Sequence, residues 1–406
     1  MRRAGRPPVR RVTADVLVVG ASTAGLGVVE GLRRRGFRGS IQLVGAEDEL
    51  PYDRPPLSKK VLSGEWPPER ALLRDDDRLD DLCLHLVLGR RAVGLDVEAH
   101  QVELADGWRV GYRTLVAATG LVPRRLPFGR GLTGVHTVRT LHDSAVLRAD
   151  LLAAREVVVV GAGVLGCEIA ATARGMDLDV TVVDPLPVPM QLRLGRELGG
   201  HVAALHESEG VRMRTGTPVS GLLGAHGRVT GVRLGGGEVV PADVVVVAIG
   251  STPATDWLAG SGVVLDDGVV CDSRCRAAPD VYAVGDVARW RHDVLGTDVR
   301  LENRANAVGQ ARFVAGDISG ADRPYTPVPY FWTDQYDSRI QVHGRVPPRT
   351  RTSACSTARP SRAGSPRWPS PTANRSASSA GTAPRTPHGT PCSGRASAED
   401  ADAARR

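Results

Sequence analysis

Two glycine-rich segments about 140 residues apart constrain this fold more than any other feature of the sequence. The segment GASTAG (residues 20–25) follows the apolar run 15–19, and GAGVLG (residues 161–166) follows the apolar run 156–160. A helical pattern begins after each segment and leads to a further apolar run. A buried strand, a glycine turn, a helix and a second strand form a βαβ unit, so the chain contains this unit twice. The second apolar runs are residues 41–44 and 180–183.

Further short apolar segments alternate with helical patterns along the chain. This alternation is typical of an α/β protein with mainly parallel sheets. The sequence therefore predicts two doubly wound, Rossmann-like domains. The additional predicted strands are 84–88, 101–104, 114–118, 239–240, 244–249 and 281–284.

The first glycine segment has the properties of a pyrophosphate-binding turn. Gly20 permits the tight turn, and Gly25 lets the following helix pack closely on the strand, while the helix N-terminus offers free N–H groups. Ser22 stands where the pattern usually has its middle glycine. Glu47 follows the second strand, where a carboxylate can accept hydrogen bonds from a ribose.

The second glycine segment is a complete GxGxxG pattern formed by Gly161, Gly163 and Gly166. Asp184 ends the next predicted strand, where its carboxylate suits the 2′-hydroxyl of NADH and repels the 2′-phosphate of NADPH. One such pattern alone also fits an ordinary tight βα turn. Two patterns, each with a well-placed acid, indicate two dinucleotide sites, one of them for NADH.

A third segment, VYAVGD at 281–286, is an apolar strand that ends in Gly-Asp. We interpret Asp286 as a residue that reaches the ribityl and phosphate region of a flavin. The alternative is an N-cap for the next helix.

Charge and composition exclude several other classes. The formal net charge of +7 arises at the two ends of the chain, since residues 1–12 contain five Arg and residues 345–406 contain eleven Arg against three acidic residues. A nucleic-acid-binding protein would concentrate this charge on a folded surface, so we predict no nucleic acid partner. No run of 18 apolar residues and no signal-peptide pattern occurs, which predicts a cytoplasmic protein without a membrane partner.

The six cysteines show no CxxC spacing and no metal-ligand pattern, so we predict no metal site. We interpret them as unpaired thiols in a reducing compartment. Residues 20–65 contain no cysteine. This excludes the redox cysteines that flavin disulfide reductases and thiol-dependent NADH oxidases require near the flavin.

Several motifs together identify a family. The chain resembles the FAD-dependent NAD(P)H:ferredoxin reductases of glutathione-reductase-like fold, of the putidaredoxin reductase, rhodocoxin reductase and aromatic-ring dioxygenase reductase type. The resemblance covers about residues 14–344. Its motifs, besides the two glycine segments, are PYDRPPLSK (51–59), ATG (118–120), VAIG (247–250), AVGD (283–286) and YFWTDQYD (330–337).

The resemblance implies that an NADH-binding domain is nested within a discontinuous FAD-binding domain. On this pattern the FAD domain comprises 14–116 and 245–322, and the NADH domain comprises 117–244. Residues 323–344 would begin a C-terminal interface domain. The oligomeric state, monomer or dimer, stays open.

The resemblance also implies the site residues. Lys59 would lie beside flavin N5 and pair with Glu168, and this catalytic pair would position the nicotinamide and stabilise charge on the reduced flavin. The expected FAD-binding residues are Gly20, Ser22, Ala24, Gly25, Glu47, Arg54, Lys59, Val93, Thr119, Gly120, Arg139, Gly285 and Asp286. The expected NADH-binding residues are Gly161, Gly163, Gly166, Asp184 and Gly250.

The implied function is electron transfer. NADH would reduce FAD by hydride transfer, and single electrons would then pass to a two-iron two-sulfur ferredoxin that serves a monooxygenase or a ring-hydroxylating dioxygenase. Because the chain has no cluster ligands, the cluster would belong to the partner. Arginines could form a docking rim for an acidic ferredoxin or could be solvated loop charges. The candidates are Arg289, Arg291, Arg300 and Arg304.

The chain departs from the family after residue 344. Residues 345–406 are rich in Arg, Ser, Pro and Ala, and they contain one Val, one Trp and no Leu, Ile or Phe. We predict a disordered low-complexity tail. One hypothesis is a frameshift in GC-rich DNA, and the alternative is an authentic tail.

The interface domain would then be largely missing. We expect Phe331, Trp332 and Tyr336 to form an exposed apolar patch as a result. The alternative functional interpretation is a non-catalytic flavoprotein similar to apoptosis-inducing factor, or an inactive truncated product.

Overall fold

The computed structural model describes residues 12–344 and 357–358, all of which belong to one compact unit. The strands in chain order are β1 (Val12–Val19), β2 (Ile41–Val44), β3 (His85–Val87), β4 (Ala92–Asp96), β5 (Gln101–Leu104), β6 (Arg109–Ala117), β7 (Leu121–Pro123), β8 (Val135–His136), β9 (Glu156–Val160), β10 (Asp179–Asp184), β11 (Arg212–Thr215), β12 (Val219–Ala225), β13 (Arg228–Leu234), β14 (Val239–Pro241), β15 (Val244–Val247), β16 (Ser251–Pro253), β17 (Val269–Cys271), β18 (Arg276–Ala278), β19 (Val281–Ala283), β20 (Ala288–His292), β21 (Thr297–Val299), β22 (Tyr330–Gln335), β23 (Ser338–His343) and β24 (Thr357–Ala358).

The helices of the described residues connect these strands. None of them is long and apolar enough to cross a lipid bilayer. The α-helices are α1 (Thr23–Arg34), α2 (Lys60–Ser63), α3 (Asp76–Asp80), α4 (Leu141–Ala153), α5 (Val164–Arg174), α6 (Gln191–Ser208) and α7 (Arg304–Ile318). Short 3-10 helices span Pro55–Ser58, Pro68–Ala71, Asp256–Leu258 and Gly285–Val287.

The first sheet has the order β18-β19-β6-β1-β2-β3, and β4 and β5 join it through β6. Strand β1 runs parallel to both β2 and β6. Its apolar residues are buried on both faces, which is why this strand reads as a continuous apolar run rather than an alternating one. The first βαβ unit of the sequence therefore lies at the centre of this sheet.

The second sheet has the order β11-β10-β9-β15-β8. Its strands are parallel, and the antiparallel layer β12-β13-β14 accompanies it. All of these strands lie in sequence between β6 and β18, so the second domain is nested within the first. The α/β fold with two Rossmann-like domains is confirmed.

The predicted domain boundary between residues 244 and 245 falls inside a strand. Strand β15 pairs with β9 in the second sheet, with Val245 opposite Val158. The strand therefore belongs to the nested domain, because separating it would break a parallel ladder. The chain crosses between the domains at β7 and β16, which pair with each other as an antiparallel ribbon.

The segment that follows α7 forms a hairpin. Strands β22 and β23 pair antiparallel from Tyr330 to His343, within the segment 323–344 predicted to begin the interface domain. Phe331, Ile340 and Val342 pack against the core beneath the second sheet. The predictions made for residues 345–406 lie outside the described residues. Within that segment the structure describes only 357–358, which form β24 and pair with β23.

Candidate functional site

The two glycine turns have the same close-packed geometry. A Cβ atom on Gly25 would lie 1.9 Å from the carbonyl oxygen of Gly20, and one on Gly166 would lie 1.9 Å from that of Gly161. Gly20 has φ +120°, and its Cβ would lie 2.2 Å from the oxygen of Ala118. Only glycine fits this contact between turn, helix and third strand. The two turns are therefore built as the sequence predicted.

A cavity of about 780 Å³ lies between the two turns. Gly25 and Gly166 lie outside its lining, which agrees with their packing role. Most of the predicted site residues line it. These are Gly20, Ser22, Ala24, Glu47, Arg54, Lys59, Thr119, Gly120, Arg139, Gly161, Gly163, Glu168, Asp184, Gly250, Gly285 and Asp286.

Val93 is not among the residues that line the cavity. It is 47% exposed, and the neighbouring residue Ala92 lines the cavity instead. Both residues belong to β4, where successive side chains point to opposite faces. The side chain of Val93 therefore faces away from the cavity, and the expected FAD contact of this residue stays a prediction that its backbone would have to satisfy.

Lys59 and Glu168 meet at the wall of the cavity. The Lys59 Nζ atom lies 2.7 Å from Glu168 Oε2. Ser58 donates a hydrogen bond of 2.6 Å to the same carboxylate oxygen. Lys59 precedes α2 and Glu168 lies on α5, so the ion pair joins the outer domain to the domain nested within it.

Two residues of the C-terminal hairpin complete this part of the site. The Thr333 hydroxyl donates a hydrogen bond of 2.8 Å to Glu168 Oε1. The Lys59 ammonium lies 5.5 Å from the centre of the Trp332 ring, a cation–π distance. The sequence analysis assigned no role to Thr333, Trp332 or Ser58, although their motifs PPLSK and YFWTDQYD were the available signal.

A polar network of Tyr52, Glu47 and Arg54 forms another part of the cavity lining. Arg54 donates to Glu47 Oε1 at 2.7 Å, and the Tyr52 hydroxyl donates to Glu47 Oε2. The Tyr52 hydroxyl also accepts a 3.1 Å hydrogen bond from the backbone N–H of Leu141. Tyr52 was not among the predicted site residues, although the motif PYDRPPLSK contains it.

Arg139 is a cation without a hydrogen-bonding partner for its guanidinium among the described residues. Burial, and secondarily the charge of Arg54, lowers the pKa of Arg139 to about 10. The side chain is therefore still charged at neutral pH and is available to an anionic ligand in the cavity.

Asp286 lies on the same side of the cavity as Arg139. Burial raises the pKa of the Asp286 carboxyl, although the charge of Arg139 opposes this shift. A carboxyl group with a raised pKa is easier to hold protonated, and in that form it donates a hydrogen bond.

Asp184 closes the second glycine turn. One carboxylate oxygen accepts a 2.6 Å hydrogen bond from the Ala162 N–H, and the other accepts a 2.7 Å hydrogen bond from the Leu186 N–H. The carboxylate is buried at the end of β10 and lines the cavity. It therefore adds negative charge beside the GxGxxG turn.

Comparison with known proteins identifies the family. Residues 14–311 match the pyridine nucleotide-disulphide oxidoreductase family. The chain is 39% identical to rhodocoxin reductase from Rhodococcus erythropolis, over 81% of this chain and 78% of that protein. It is 40% identical to a ferredoxin–NAD(P)+ reductase from Sphingomonas sp., over 81% of both.

The chain belongs to the pyridine nucleotide-disulphide oxidoreductase family.

Solved structures agree with the sequence comparisons. A ferredoxin reductase from Rhodopseudomonas palustris is 36% identical with a TM-score of 0.79, covering 82% of both chains. A covalent complex of putidaredoxin reductase with putidaredoxin gives 34% identity and a TM-score of 0.79, covering 82% of this chain and 81% of that chain. The resemblance to the ferredoxin reductases is thereby confirmed. The protein is an oxidoreductase whose cofactors are FAD and NAD(P)H.

The first glycine turn, at Gly20, fits FAD. The Ser22 side chain makes no capping hydrogen bond at the N-terminus of α1, so the backbone N–H groups of the first helical turn face the cavity without a side-chain acceptor. The Arg139 guanidinium, which makes no hydrogen bond to the described residues, lies beside Gly120, with Nη2 2.7 Å from the position a Cβ would take there. Free N–H groups and a cation with unused hydrogen-bond donors suit the pyrophosphate of FAD.

The aromatic residues of the hairpin do not form the exposed patch that we expected. Trp332 lies between the cationic groups of Lys59 and Arg339, at 5.5 and 5.1 Å from its ring centre. Tyr336 packs edge-on against His206, with ring centres 5.2 Å apart. The expectation was wrong because the hairpin itself folds onto the second domain and partly buries these rings.

Proposed function

We propose that this protein transfers a hydride from NADH to FAD and passes single electrons to a two-iron two-sulfur ferredoxin that serves an oxygenase. The observation that carries the proposal is the Lys59–Glu168 ion pair of 2.7 Å at the cavity between the two glycine turns. FAD, when bound, converts the two-electron chemistry of a nicotinamide into single-electron transfers.

The residues of this chain would bind the two cofactors and would fix the position of the charged groups around them. The turn at Gly20, with Arg139, would hold the FAD pyrophosphate, and the turn at Gly161 would hold that of NADH. Lys59 places a fixed positive charge at the cavity wall, where it would favour negative charge that develops during reduction. Glu168 fixes the position of that ammonium group, and Trp332 covers it from the side of the hairpin.

The choice of NADH rests on Asp184. Its buried carboxylate, held by two backbone N–H groups, can accept the ribose 2′-hydroxyl through its remaining lone pairs. A 2′-phosphate in the same place would meet an anion in a poorly solvated position.

The ferredoxin partner is supported by the names of the relatives rather than by a docking surface. The four arginines considered for docking all have carboxylate neighbours that compensate their charge, which favours their interpretation as loop charges. The pairs are Arg289–Asp266, Arg291–Asp298, Arg300–Asp267 and Arg304–Asp53.

We also propose a cytoplasmic location. The four cysteines of the described residues are all unpaired. Unpaired buried thiols such as Cys167 and Cys271 suit a reducing compartment.

The decisive experiment has two steps. The absorbance spectrum of the purified protein is recorded, and the protein is then mixed without oxygen with NADH or NADPH in a stopped-flow instrument. We expect a flavin spectrum that NADH bleaches much faster than NADPH. A colourless protein, or a flavin that neither nucleotide reduces, would contradict the proposed enzyme and support the inactive or non-catalytic alternative.

The acceptor is tested separately. The NADH-reduced protein is mixed with oxidised putidaredoxin as a two-iron two-sulfur probe and with rubredoxin as a one-iron control. We expect faster reduction of the two-iron protein. Faster reduction of rubredoxin would overturn the proposed acceptor while leaving the NADH reaction intact.

A further inference from the structure

A buried hydrogen-bond chain connects the Lys59–Glu168 pair to a histidine on the second domain. Thr333 Oγ1 lies 2.8 Å from Glu168 Oε1, and Gln335 Nε2 lies 3.4 Å from Thr333 Oγ1. Gln335 Oε1 lies 3.0 Å from His206 Nε2. Thr333 and His206 are 0% exposed and Gln335 is 1% exposed, so water does not compete for these bonds.

The direction of the chain is fixed by a methionine. The Gln335 Nε2 atom also lies 3.6 Å from the Met190 sulfur, which accepts hydrogen bonds and cannot donate them. The amino group of Gln335 must therefore face Met190 and Thr333. Its carbonyl oxygen consequently faces His206 and requires a donor from that ring.

This requirement sets the tautomer of His206. The Nε2 atom carries the proton that Gln335 accepts, so Nδ1 is an acceptor, and the Tyr336 hydroxyl lies 2.9 Å from it and donates. Burial lowers the pKa of His206, which agrees with a neutral ring that has one donor and one acceptor. His206 is thereby held by the same hairpin that carries Gln335.

The same logic fixes the threonine. Thr333 Oγ1 accepts from Gln335, so its single proton is free to point to Glu168 Oε1. With Oε1 held by Thr333, Glu168 presents Oε2 to Lys59 and Ser58. A reversed Gln335 amide would take the Thr333 proton for itself and leave Glu168 Oε1 without this donor.

We propose that His206, as the Nε2-protonated tautomer, is a positioning residue for the Lys59–Glu168 pair, acting through Gln335 and Thr333. His206 does not line the cavity, and its ring hydrogen bonds go to Gln335 and Tyr336 rather than to the ion pair. This inference rests on the proposed role of the pair in NADH oxidation, and it adds to that role a fixed hydrogen-bond direction supplied by the C-terminal hairpin.

The kinetic test compares three variants of the full chain with bound flavin. His206→Phe removes both ring nitrogens, and His206→Gln restores a side-chain N–H donor. Val202→Ala is the matched control, because Val202 is an apolar residue on the same helix that is 1% exposed. Each protein is mixed with NADH without oxygen, and the limiting rate of flavin reduction is separated from the NADH dissociation constant.

We expect His206→Phe to lower the limiting rate about tenfold with little change in the NADH dissociation constant, because the chain orients the site without contacting the nucleotide. His206→Gln should recover most of the rate, and Val202→Ala should keep the wild-type rate despite a lower melting temperature. Equal losses in His206→Phe and Val202→Ala, or no recovery in His206→Gln, would overturn the proposal.

A second measurement needs no enzyme activity. Nitrogen NMR of the ¹⁵N-histidine-labelled oxidised protein reports the tautomer of His206, assigned by the signal that disappears in His206→Gln. We expect a protonated Nε2 and an unprotonated Nδ1. The opposite tautomer would reverse Gln335 and sink the inference. A wild-type protein that NADH fails to reduce would instead overturn the proposed function, which separates the two failures.

Discussion

Lys59 Nζ and Glu168 Oε2 lie 2.7 Å apart, with the two side chains 17% and 8% exposed, although one residue belongs to the outer domain and the other to the nested domain. The carboxylate has two further donors, Ser58 and Thr333. The stability of an ion pair with so little exposure to water depends on both partners, because loss of one leaves an uncompensated buried charge.

Replacement of Lys59 by Met should therefore destabilise the protein by about 3–5 kcal/mol, because the Glu168 carboxylate would stay buried without its cation. Flavin reduction by NADH should also slow strongly. The double variant Lys59→Met/Glu168→Gln should recover much of the stability but not the rate. Urea denaturation and stopped-flow reduction measure the two effects. Equal stability of the single and double variants would contradict a coupled buried pair.

Asp184→Asn should weaken the preference for NADH over NADPH. The amide keeps an acceptor oxygen for one backbone N–H but removes the charge that repels a 2′-phosphate. We expect the ratio of kcat/KM values for the two nucleotides to fall about tenfold or more. Asp179→Asn, at the exposed start of the same strand, is the control and should leave the ratio unchanged. An unchanged ratio in Asp184→Asn would exclude this residue as the discriminator.

The second glycine turn separates folding from binding. A Cβ on Gly166 would lie 1.9 Å from the Gly161 oxygen, whereas a Cβ on Gly163 would meet nothing within 4 Å. Gly166→Ala should therefore unfold or strongly destabilise the nested domain. Gly163→Ala should melt like the wild type and yet bind NADH more weakly, because the methyl group occupies space that the pyrophosphate needs.

Melting curves and NADH titrations of the two variants distinguish these effects. Unchanged NADH affinity in a stable Gly163→Ala protein would show that the nucleotide does not approach this turn.

Arg139→Leu should lower FAD affinity without lowering the stability of the flavin-free protein. The guanidinium has no hydrogen-bonding partner among the described residues, so its removal breaks no such contact. The lost attraction to Asp286 is outweighed by relief of the burial of the guanidinium and of its repulsion by Arg54. A charge-assisted hydrogen bond to a phosphate contributes about 1.5–3 kcal/mol, which corresponds to roughly a tenfold or larger loss of affinity. Fluorescence titration of the apoprotein with FAD measures this loss, and an unchanged affinity would place Arg139 outside the flavin site.

His206 should make folding stability depend on pH. Burial lowers its pKa in the folded protein, while an unfolded histidine has a pKa of about 6.5. Below about pH 6.5 the unfolded chain binds a proton at His206 more readily than the folded protein does, so proton uptake favours unfolding. The contribution of the neutral His206 to the free energy of unfolding is therefore complete above about pH 6.5 and is lost as the pH falls towards the folded pKa.

The stability difference between wild type and His206→Gln should therefore shrink when urea denaturation is repeated from about pH 7.5 down to about pH 5.5. His142→Gln, at an exposed position on α4, should follow the wild type throughout. A pH-independent difference for His206→Gln would show that His206 is not held neutral by burial.

The amino-acid sequence was sufficient to predict the two βαβ units and their glycine turns. Turn geometry is local: Gly20 and Gly161 need positive φ angles, and Gly25 and Gly166 need a missing Cβ within the same short segment. The Lys59–Glu168 pair was predicted through the resemblance to a family, and its geometry was then found in the structure.

Other features depended on the tertiary structure. Val93 and Ala92 are both apolar, so the sequence does not distinguish them, and only the pleat of β4 decides that Ala92 lines the cavity. Strand β15 reads like any buried parallel strand, so its place in the second sheet follows from its pairing with β9. The predictions for residues 345–406 stay predictions.

The contacts of the hairpin show the same limit most clearly. Thr333, Gln335 and His206 are ordinary polar residues in sequence, and nothing local indicates that they share buried hydrogen bonds. Local sterics and periodicity act over a few residues, so the sequence by itself determined strands, turns and the two nucleotide-binding units. Which distant polar groups satisfy one another was decided only when the hairpin closed onto the second domain and excluded water between them.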